Sequence, residues 1–199
     1  MLLTKKERPL LVANVILLGA FGWMALRPVN YEFILYVVVI AAVGGLIVWR
    51  QRAIRFSLPI LWGLTLWGLL HMAGGNLHVA GGTLYDFVLI PLVGPPYNIL
   101  GYDDVVHMFG FGVATLVCHH LLVPYLRDDL TNRRTLGFLV VLMGLGMGAV
   151  NELIEFVAVV ILPETGVGGY ENTLLDMVFN LIGAMIAAGL VVRRAGRAG

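Results

Sequence analysis

The sequence has 199 residues, of which 59% are hydrophobic and only 13% are charged, and its formal net charge is +1. This composition excludes a soluble domain and predicts a protein that crosses a membrane several times. The single cysteine, Cys118, has no partner in the chain, which excludes an intramolecular disulfide and a CxxC metal or redox motif.

Six apolar runs approach the roughly 20 residues that an α-helix needs to span a bilayer. They cover residues 9–26, 31–49, 57–72, 104–126, 135–161 and 174–192. We therefore expect an all-α membrane helix bundle of six spans that forms a single integral-membrane domain over 1–199. Spans one and two, within 1–56, have no ionisable residue in their interiors and are expected to act as scaffold helices, whereas 57–192 would carry the functional site.

The basic residues predict the orientation of these spans. Arg27 follows span one, and the other twelve fall in threes at the two termini and in the connections after spans two and four. These twelve are Lys5, Lys6, Arg8, Arg50, Arg52, Arg55, Arg127, Arg133, Arg134, Arg193, Arg194 and Arg197. The positive-inside rule then places both termini in the cytoplasm. Because topology accounts for the basic residues, they give no support for nucleic-acid binding.

Residues 73–103 form a long connection on the outer side, with two glycine pairs and a proline pair. Its middle segment, 87–93, is apolar but too short to cross the bilayer, so we expect it to lie in the interface or to re-enter over the bundle. Two interpretations stay open for the connection, a lid and an ordinary interfacial loop.

Polar side chains of four spans reach one level near the outer side, at about 1.5 Å of rise per residue. His71 ends span three, and Asp103 and His107 open span four. The others are Asn151, Glu152 and Glu155 near the outer end of span five, and Asp176 and Asn180 near the start of span six. Ionisable groups within membrane spans are costly and usually functional, so we interpret this set as one site.

Spans four and six share the pattern Asp-x-x-x-(His/Asn)-x-x-Gly-x-x-x-Ala, which occupies one helix face at about 100° per residue. It reads Asp103, His107, Gly110 and Ala114 in span four, and Asp176, Asn180, Gly183 and Ala187 in span six. A diverged repeat and a coincidence of common residues are both open interpretations. In span five, Gly144 and Gly148 share a face with the two glutamates, which predicts close helix contacts that turn the acids away from lipid.

Imidazole and carboxylate groups together suit a divalent metal ion such as zinc, manganese or iron. The expected ligands are His71, His107, Glu152 and Asp176, with Glu155 or Asp103 as general base toward water and Asn180 and Asn151 as supporting residues. The spacings permit such a site without being diagnostic of one. The structural alternative is a buried hydrogen-bond network that locks the helices, and Asp104 is interpreted as a solvated neighbour.

Four blocks of the sequence resemble the YjdF-like family of bacterial inner-membrane proteins. They are Leu70-His71-Met72-Ala73-Gly74-Gly75, Tyr102-Asp103-x-x-x-His107-x-x-Gly110-Phe111, Glu152-Leu153-Ile154-Glu155 and Thr173-x-x-Asp176-Met177. The sparser scheme of Asp103, His107, Glu152, Asp176, Asn180 and Gly183 is similar to the VanZ-like membrane proteins associated with glycopeptide resistance. The resemblance implies a multi-pass helical protein of the bacterial cytoplasmic membrane and supplies no reaction.

The leading functional hypothesis is a metal-dependent hydrolase or transferase that acts on a lipid or lipid-linked envelope substrate at the outer leaflet. The residues leave open whether the protein is an enzyme. A non-enzymatic helper or transporter would use the same groups as a proton or cation relay. A redox protein would ligate haem through His71 and His107, or two irons through the mixed set. Retinal is disfavoured because Lys5 and Lys6, the only lysines, precede the first span.

Overall fold

The structure is a computed structural model that describes residues 3–27, 29–95, 97–126 and 132–195. Residues 194 and 195 are described without their side chains. Arg127 and Arg197, which contribute to the predicted orientation, lie outside these ranges, as does the side chain of Arg194.

Six helices dominate the described residues, and each is long and apolar enough to cross a membrane. They are α1 (Arg8–Leu26), α2 (Tyr31–Ile54), α3 (Leu58–Asn76), α4 (Tyr102–Leu122), α5 (Arg133–Ile161) and α6 (Tyr170–Ala195), with a short 3₁₀ turn (Val123–Tyr125) after α4. The predicted all-α bundle of six spans is confirmed. Most helices extend beyond the predicted bounds by up to several residues, although α4 ends at Leu122, before the predicted bound of 126. Asp103 therefore lies within α4, and His71 lies more than one turn before the end of α3.

Local signals explain where the helices begin. Asn30 accepts a hydrogen bond from the Phe33 N–H and caps α2, and Asn132 does the same for α5 through the Thr135 N–H. Pro59 stands in the first turn of α3, where a missing N–H costs no hydrogen bond.

The core of the bundle is the parallel pair α4 and α6. His107 contacts Asn180 and Gly112 lies beside Gly183, so the two helices run in the same direction along their contact. Helix α5 runs antiparallel to them, because its Gly148 faces Asn180 while its earlier residues face later parts of α6. Both aspartates of the shared pattern therefore begin this contact at the same end, beside His107.

Glycines allow these helices to approach closely. A Cβ atom at Gly183 would lie on the carbonyl oxygen of Met108, and one at Gly144 would lie on the hydroxyl of Thr115. Backbone-to-backbone contact of this kind is the usual reason for small residues in membrane helix interfaces. The predicted close contacts along the Gly144 and Gly148 face of α5 are confirmed.

Helices α1 and α2 pack against α3 through a buried apolar cluster. Its members are Leu17, Phe21, Ala25, Phe33, Tyr36 and Met72. The Asn14 amide also donates to the Thr65 hydroxyl at 2.8 Å, which joins α1 to α3. The first two helices thus reach α4 to α6 mainly through α3.

Two short hairpins occupy the connection between α3 and α4. Strands β1 (His78–Val79) and β2 (Gly82–Thr83) form the first, and β3 (Val88–Val93) and β4 (Ile99–Gly101) form the second, both antiparallel. The apolar segment 87–93 is mostly strand β3, and all of β3 after Val88 is exposed. It therefore lies on the bundle and does not enter it.

The two ends of the bundle differ in charge. We call the end where α1 begins and α6 finishes the basic end, because the predicted cytoplasmic basic residues cluster there. The opposite end, which we call the site end, has nine of the twelve Asp and Glu residues, and among the described residues Arg27 is its only Lys or Arg. They are Glu32, Asp86, Asp103, Asp104, Glu152, Glu155, Glu164, Glu171 and Asp176. A strongly acidic end attracts cations.

Candidate metal centre

His107 is the centre of the polar cluster at the site end. Its side chain is 7% exposed, and Nε2 lies 3.5 Å from Asp103 Oδ1 and 3.8 Å from Asp176 Oδ1. On the other side of the ring, Nδ1 lies 4.0 Å from Glu152 Oε1. Two groups of potential ligand atoms share this imidazole, and the atoms of each group lie within 4.8 Å of one another: Asp103, His107 and Asp176 in one, and His107, Glu152 and Glu155 in the other.

The partner of Nδ1 fixes the proton on the imidazole. Asn180 Oδ1 lies 3.1 Å from His107 Nδ1, and an amide oxygen can only accept a hydrogen bond. The ring nitrogen must therefore be the donor. In the neutral ring Nε2 then has a lone pair, which faces Asp103 and Asp176. An outer hydrogen bond that fixes the tautomer in this way is typical of histidines that ligate metals.

Glu152 stands out because both of its carboxylate oxygens are buried without a hydrogen-bond partner among the described residues. Its side chain is only 10% exposed. Burying an unpaired carboxylate is costly, and a nearby cation or a bound proton removes the cost. The arrangement therefore calls for either a bound proton on Glu152 or a cation close to His107.

Two further amides hold the acids in place. The Asn151 amide donates to Glu155 Oε1 at 2.7 Å, and the Asn172 amide donates to Asp176 Oδ2 at 2.7 Å. Asn151 and Asn180, predicted as supporting residues, thus contact Glu155 and His107, and their role at a functional site stays a prediction. Asn172 was not among the predicted residues, although its position one turn before Asp176 on the same helix face is a signal that could have found it.

His71, predicted as a ligand, is not brought into either group of potential ligand atoms. The Tyr85 hydroxyl lies 2.6 Å from His71 Nδ1 and donates to the His71 carbonyl oxygen at 2.8 Å. Because that hydroxyl has one hydrogen, Nδ1 must donate to the phenol oxygen, which leaves the lone pair on Nε2. Burial raises the pKa of the Tyr85 phenol well above its ordinary value, so it stays a donor. The structure thus places His71 outside both groups, and its role as a ligand stays a prediction.

The interpretation of Asp104 as a solvated neighbour is corrected, because its side chain is buried and fixed by hydrogen bonds. Its Oδ2 accepts hydrogen bonds from the Leu100 N–H at 2.7 Å and the Gly101 N–H at 2.8 Å. Leu100 has a φ of 75°, which is unfavourable for a leucine. The carboxylate therefore stabilises the strained backbone of Leu100 at the end of β4, directly before α4.

A cavity of about 340 Å³ lies above the cluster at the site end. Asp103, His107 and Glu155 line it, whereas Asp176 and Glu152 are not among its lining residues. Its other polar and aromatic lining side chains are Glu32, Tyr36, His71, Tyr85, Asp86, Tyr97, Asn98, Asp104 and Asn172. The predicted site thus divides into residues that a ligand in the cavity can reach and residues beneath them.

Helix α2 contributes to this cavity, which corrects its interpretation as scaffold alone. Glu32 is buried at the start of α2 and accepts a hydrogen bond from the Gly166 N–H in the α5–α6 connection. Tyr36, one turn further, packs edge-on against His71. Glu32 was not among the predicted site residues, because it stands at the second position of its span and not in the interior.

Comparisons with known proteins agree with a membrane protein and assign no reaction. A curated protein of Thermotoga maritima, named "Uncharacterized protein", is 29% identical over 100 residues, which are 49% of this chain and 50% of that protein. The matched part thus spans half the length of that relative. No solved structure matches the chain. The VanZ-like resemblance finds no support in these comparisons and stays a prediction.

The family comparison covers nearly the whole chain. A family model described as "Predicted membrane protein (DUF2238)" matches residues 9–197, which include all six helices almost completely. The chain therefore belongs to the DUF2238 family of predicted membrane proteins, the family to which its YjdF-like motifs pointed.

Proposed function

We propose that this protein binds a divalent metal ion through Asp103, His107 and Asp176, and hydrolyses or transfers a group of a lipid or lipid-linked substrate. The site would face the outer leaflet of the bacterial cytoplasmic membrane. The observation that carries the proposal is the lone pair on His107 Nε2, which faces one oxygen of Asp103 at 3.5 Å and one of Asp176 at 3.8 Å. Three such acceptor atoms repel one another, and a cation relieves the repulsion.

The donor set suits the proposed ions. One imidazole nitrogen with carboxylate oxygens is a common combination for zinc, manganese and iron. Three protein ligands that leave a further position open are typical of catalytic metal sites. Because Asp103 and His107 line the cavity, the open position would face the space in which a substrate binds. The ion would supply Lewis acidity to that substrate.

Glu155 is the residue best placed to move a proton. It lines the cavity, and Asn151 holds one of its oxygens at 2.7 Å. Glu152 lies behind it, on the Nδ1 side of His107, away from the cavity lining. We therefore assign the role of general base to Glu155. We propose that the negative charge of Glu152 offsets positive charge on the metal ion and the imidazole.

A relay across the membrane, the alternative function, would need polar groups between this site and the basic end. The sequence has no acidic or basic side chain in α4 between His107 and His119, or in α6 between Asp176 and Arg193. The buried hydroxyl of Thr115, which lies on this path, donates to the Phe111 carbonyl oxygen at 2.6 Å. Because ionisable groups are lacking along these two helices, a site that is accessible from one side of the membrane is favoured over a relay across it.

Metal analysis of the purified protein tests the proposal. Protein prepared without chelator should contain about one zinc, manganese or iron ion per chain, measured by elemental analysis. After chelation, adding that ion at about 100 times its Kd should stabilise the fold by about 2.7 kcal/mol, seen as a higher unfolding midpoint. The variant Asp176→Asn should lose both effects, whereas Glu171→Gln, an exposed acid on the same helix, should retain them.

Two outcomes would contradict the proposal. One is protein that contains no metal and keeps the same unfolding midpoint with all three ions. The other is an equal response in the Asp176→Asn and Glu171→Gln variants, which would place the ion elsewhere. In either case the cluster would be a protonated hydrogen-bond network that joins α4, α5 and α6.

A further inference from the structure

The hairpin of β3 and β4 exposes an unusual amount of apolar surface. Leu92 is 66% exposed and Ile90 is 54% exposed, and Leu89, Val93 and Tyr97 are also exposed. From residue 87 to residue 102 the sequence has no Asp, Glu, Lys, Arg or His. An apolar strand with free edges is a site of aggregation in water, so such surfaces are normally covered.

The ends of the hairpin fix where it lies relative to the membrane. The chain leaves α3 at Asn76 and enters α4 at Tyr102, and both positions are at the site end of helices that cross the bilayer. The Tyr102 N–H donates to the Phe87 carbonyl oxygen at 2.9 Å, which fastens the base of the hairpin to the start of α4. The apolar surface is therefore continuous with the lipid-facing end of the bundle.

Hydrogen bonding limits how deep the hairpin can lie. A two-stranded sheet leaves one edge of each strand unpaired, and unpaired backbone groups are not tolerated in the hydrocarbon core. At the boundary between headgroups and acyl chains, water and headgroups can satisfy these groups while the side chains reach apolar surroundings. Tyrosine is enriched at this depth, and Tyr97 stands in the turn of the hairpin.

The same hairpin forms part of the cavity wall. Val88, Tyr97, Asn98 and Gly101 line the cavity, whereas Ile90 and Leu92 do not. Asp104 ties the hairpin to α4 through the Leu100 and Gly101 N–H groups, so the wall is held at a defined position beside Asp103. The base and the turn of the hairpin thus line the cavity, whereas the middle of β3 is apolar and exposed.

We infer that the β3–β4 hairpin inserts into the interface of one membrane leaflet, with lipid covering the side chains of Ile90 and Leu92. The wall of the cavity is then embedded among lipid headgroups, and a lipid headgroup can reach the cavity without crossing bulk water. The inserted surface does not depend on the metal ion. Its role in delivering a lipid to the site rests on the proposed function.

Spin labels provide the test. The native cysteine is first removed by Cys118→Ala, and nitroxides are attached to full-length protein carrying Leu92→Cys or Ile90→Cys. His78→Cys in the β1–β2 hairpin is the matched control, because His78 is a polar residue that is exposed at the same end of the bundle. The proteins are reconstituted in vesicles of phosphatidylethanolamine and phosphatidylglycerol, and collisions with oxygen and with a water-soluble nickel complex are measured.

The inference expects the ratio of oxygen to nickel collisions to be severalfold higher at positions 90 and 92 than at position 78. Equal ratios at all three positions would show that the hairpin lies in water and would overturn it. Low collision rates with both reagents, together with spin–spin broadening, would show that a second copy of the chain covers the hairpin and would also overturn it. Because no ion is needed, failure here is distinguishable from failure of metal binding.

Discussion

At the residue scale, three asparagines hold His107 and two of the acids near it. Asn180 holds the imidazole, Asn151 holds Glu155 and Asn172 holds Asp176. An amide can orient a charged partner without adding charge of its own, which matters where several acids already meet. The positions of His107 and Asp176, two of the three proposed ligands, are therefore set by neutral neighbours, as is usual in the outer shell of a metal site.

Replacing Asn180 should weaken metal binding without removing a ligand. Asn180→Ala removes the acceptor of the hydrogen bond from His107 Nδ1, and loss of such an outer partner typically costs about 10- to 100-fold in metal affinity. Calorimetric titration of the chelated protein measures the change. Asn76→Ala is the control, because Asn76 donates to the Met72 carbonyl oxygen at the end of α3 and has no contact with the cluster. Equal affinity in Asn180→Ala and the parent protein would contradict this role.

His71 provides a second prediction at this scale. Since Tyr85 holds its Nδ1 and neither group of potential ligand atoms includes it, His71→Gln should leave the metal content unchanged. His107→Gln should abolish binding. Elemental analysis of the two variants, purified in parallel, distinguishes the ligand from the cavity-lining histidine. Loss of metal in both variants would restore His71 as a ligand.

At the scale of elements, the site depends on how closely α4 and α6 approach. Asp103 and Asp176 belong to different helices, and they meet at His107 because Gly112 and Gly183 leave no side chains between the backbones. The shared pattern of the two helices therefore has a physical meaning whether or not it arose by duplication. Each helix supplies one aspartate near the imidazole and one of the two residues of the His107–Asn180 hydrogen bond.

A methyl group at Gly183 should separate these helices. The Cβ atom in Gly183→Ala would overlap the Met108 carbonyl oxygen, and overpacking of this kind typically costs about 1–3 kcal/mol. We expect a lower unfolding midpoint and weaker metal binding together. Gly189→Ala on the same helix has open space around the new methyl group and should be neutral or slightly stabilising. A tolerated Gly183→Ala with unchanged metal affinity would contradict the proposed coupling.

At the scale of the whole molecule, charge separates the two ends. Acids gather where the site lies, and basic residues gather where α1 begins and α6 finishes. From this asymmetry the positive-inside rule predicts an orientation in which the basic end lies in the cytoplasm. A cation approaching from outside would then meet the acidic end first.

Labelling of single cysteines in intact cells measures this orientation. With Cys118→Ala as background, Glu164→Cys at the site end should react with a maleimide that cannot cross membranes. Arg134→Cys at the basic end should react only after the cells are opened. Both positions are exposed, so reactivity reports the side of the membrane. The reverse labelling pattern would show that the site end faces the cytoplasm, and it would contradict the predicted orientation.

Helical periodicity was sufficient to place Asp103 with His107 and Asp176 with Asn180, because partners four residues apart share a face whatever surrounds the helix. It could not place His71. The Tyr85 hydroxyl that holds this histidine lies in an irregular connection, and its position follows from two hairpins that hydropathy does not reveal. Asp104 was misjudged for the same reason, since its partners are backbone groups of that connection.

The sequence by itself determined the six spans, the charge difference between the ends and the common level of the polar groups. These properties depend on the thickness and polarity of the bilayer and on the fixed rise of a helix. Only the tertiary structure decided which acids meet at His107, that Glu32 of α2 contacts Gly166 across 134 residues of sequence, and that a cavity lies above the site. Those facts depend on the rotation and spacing of helices, which are set by close packing between residues far apart in the chain.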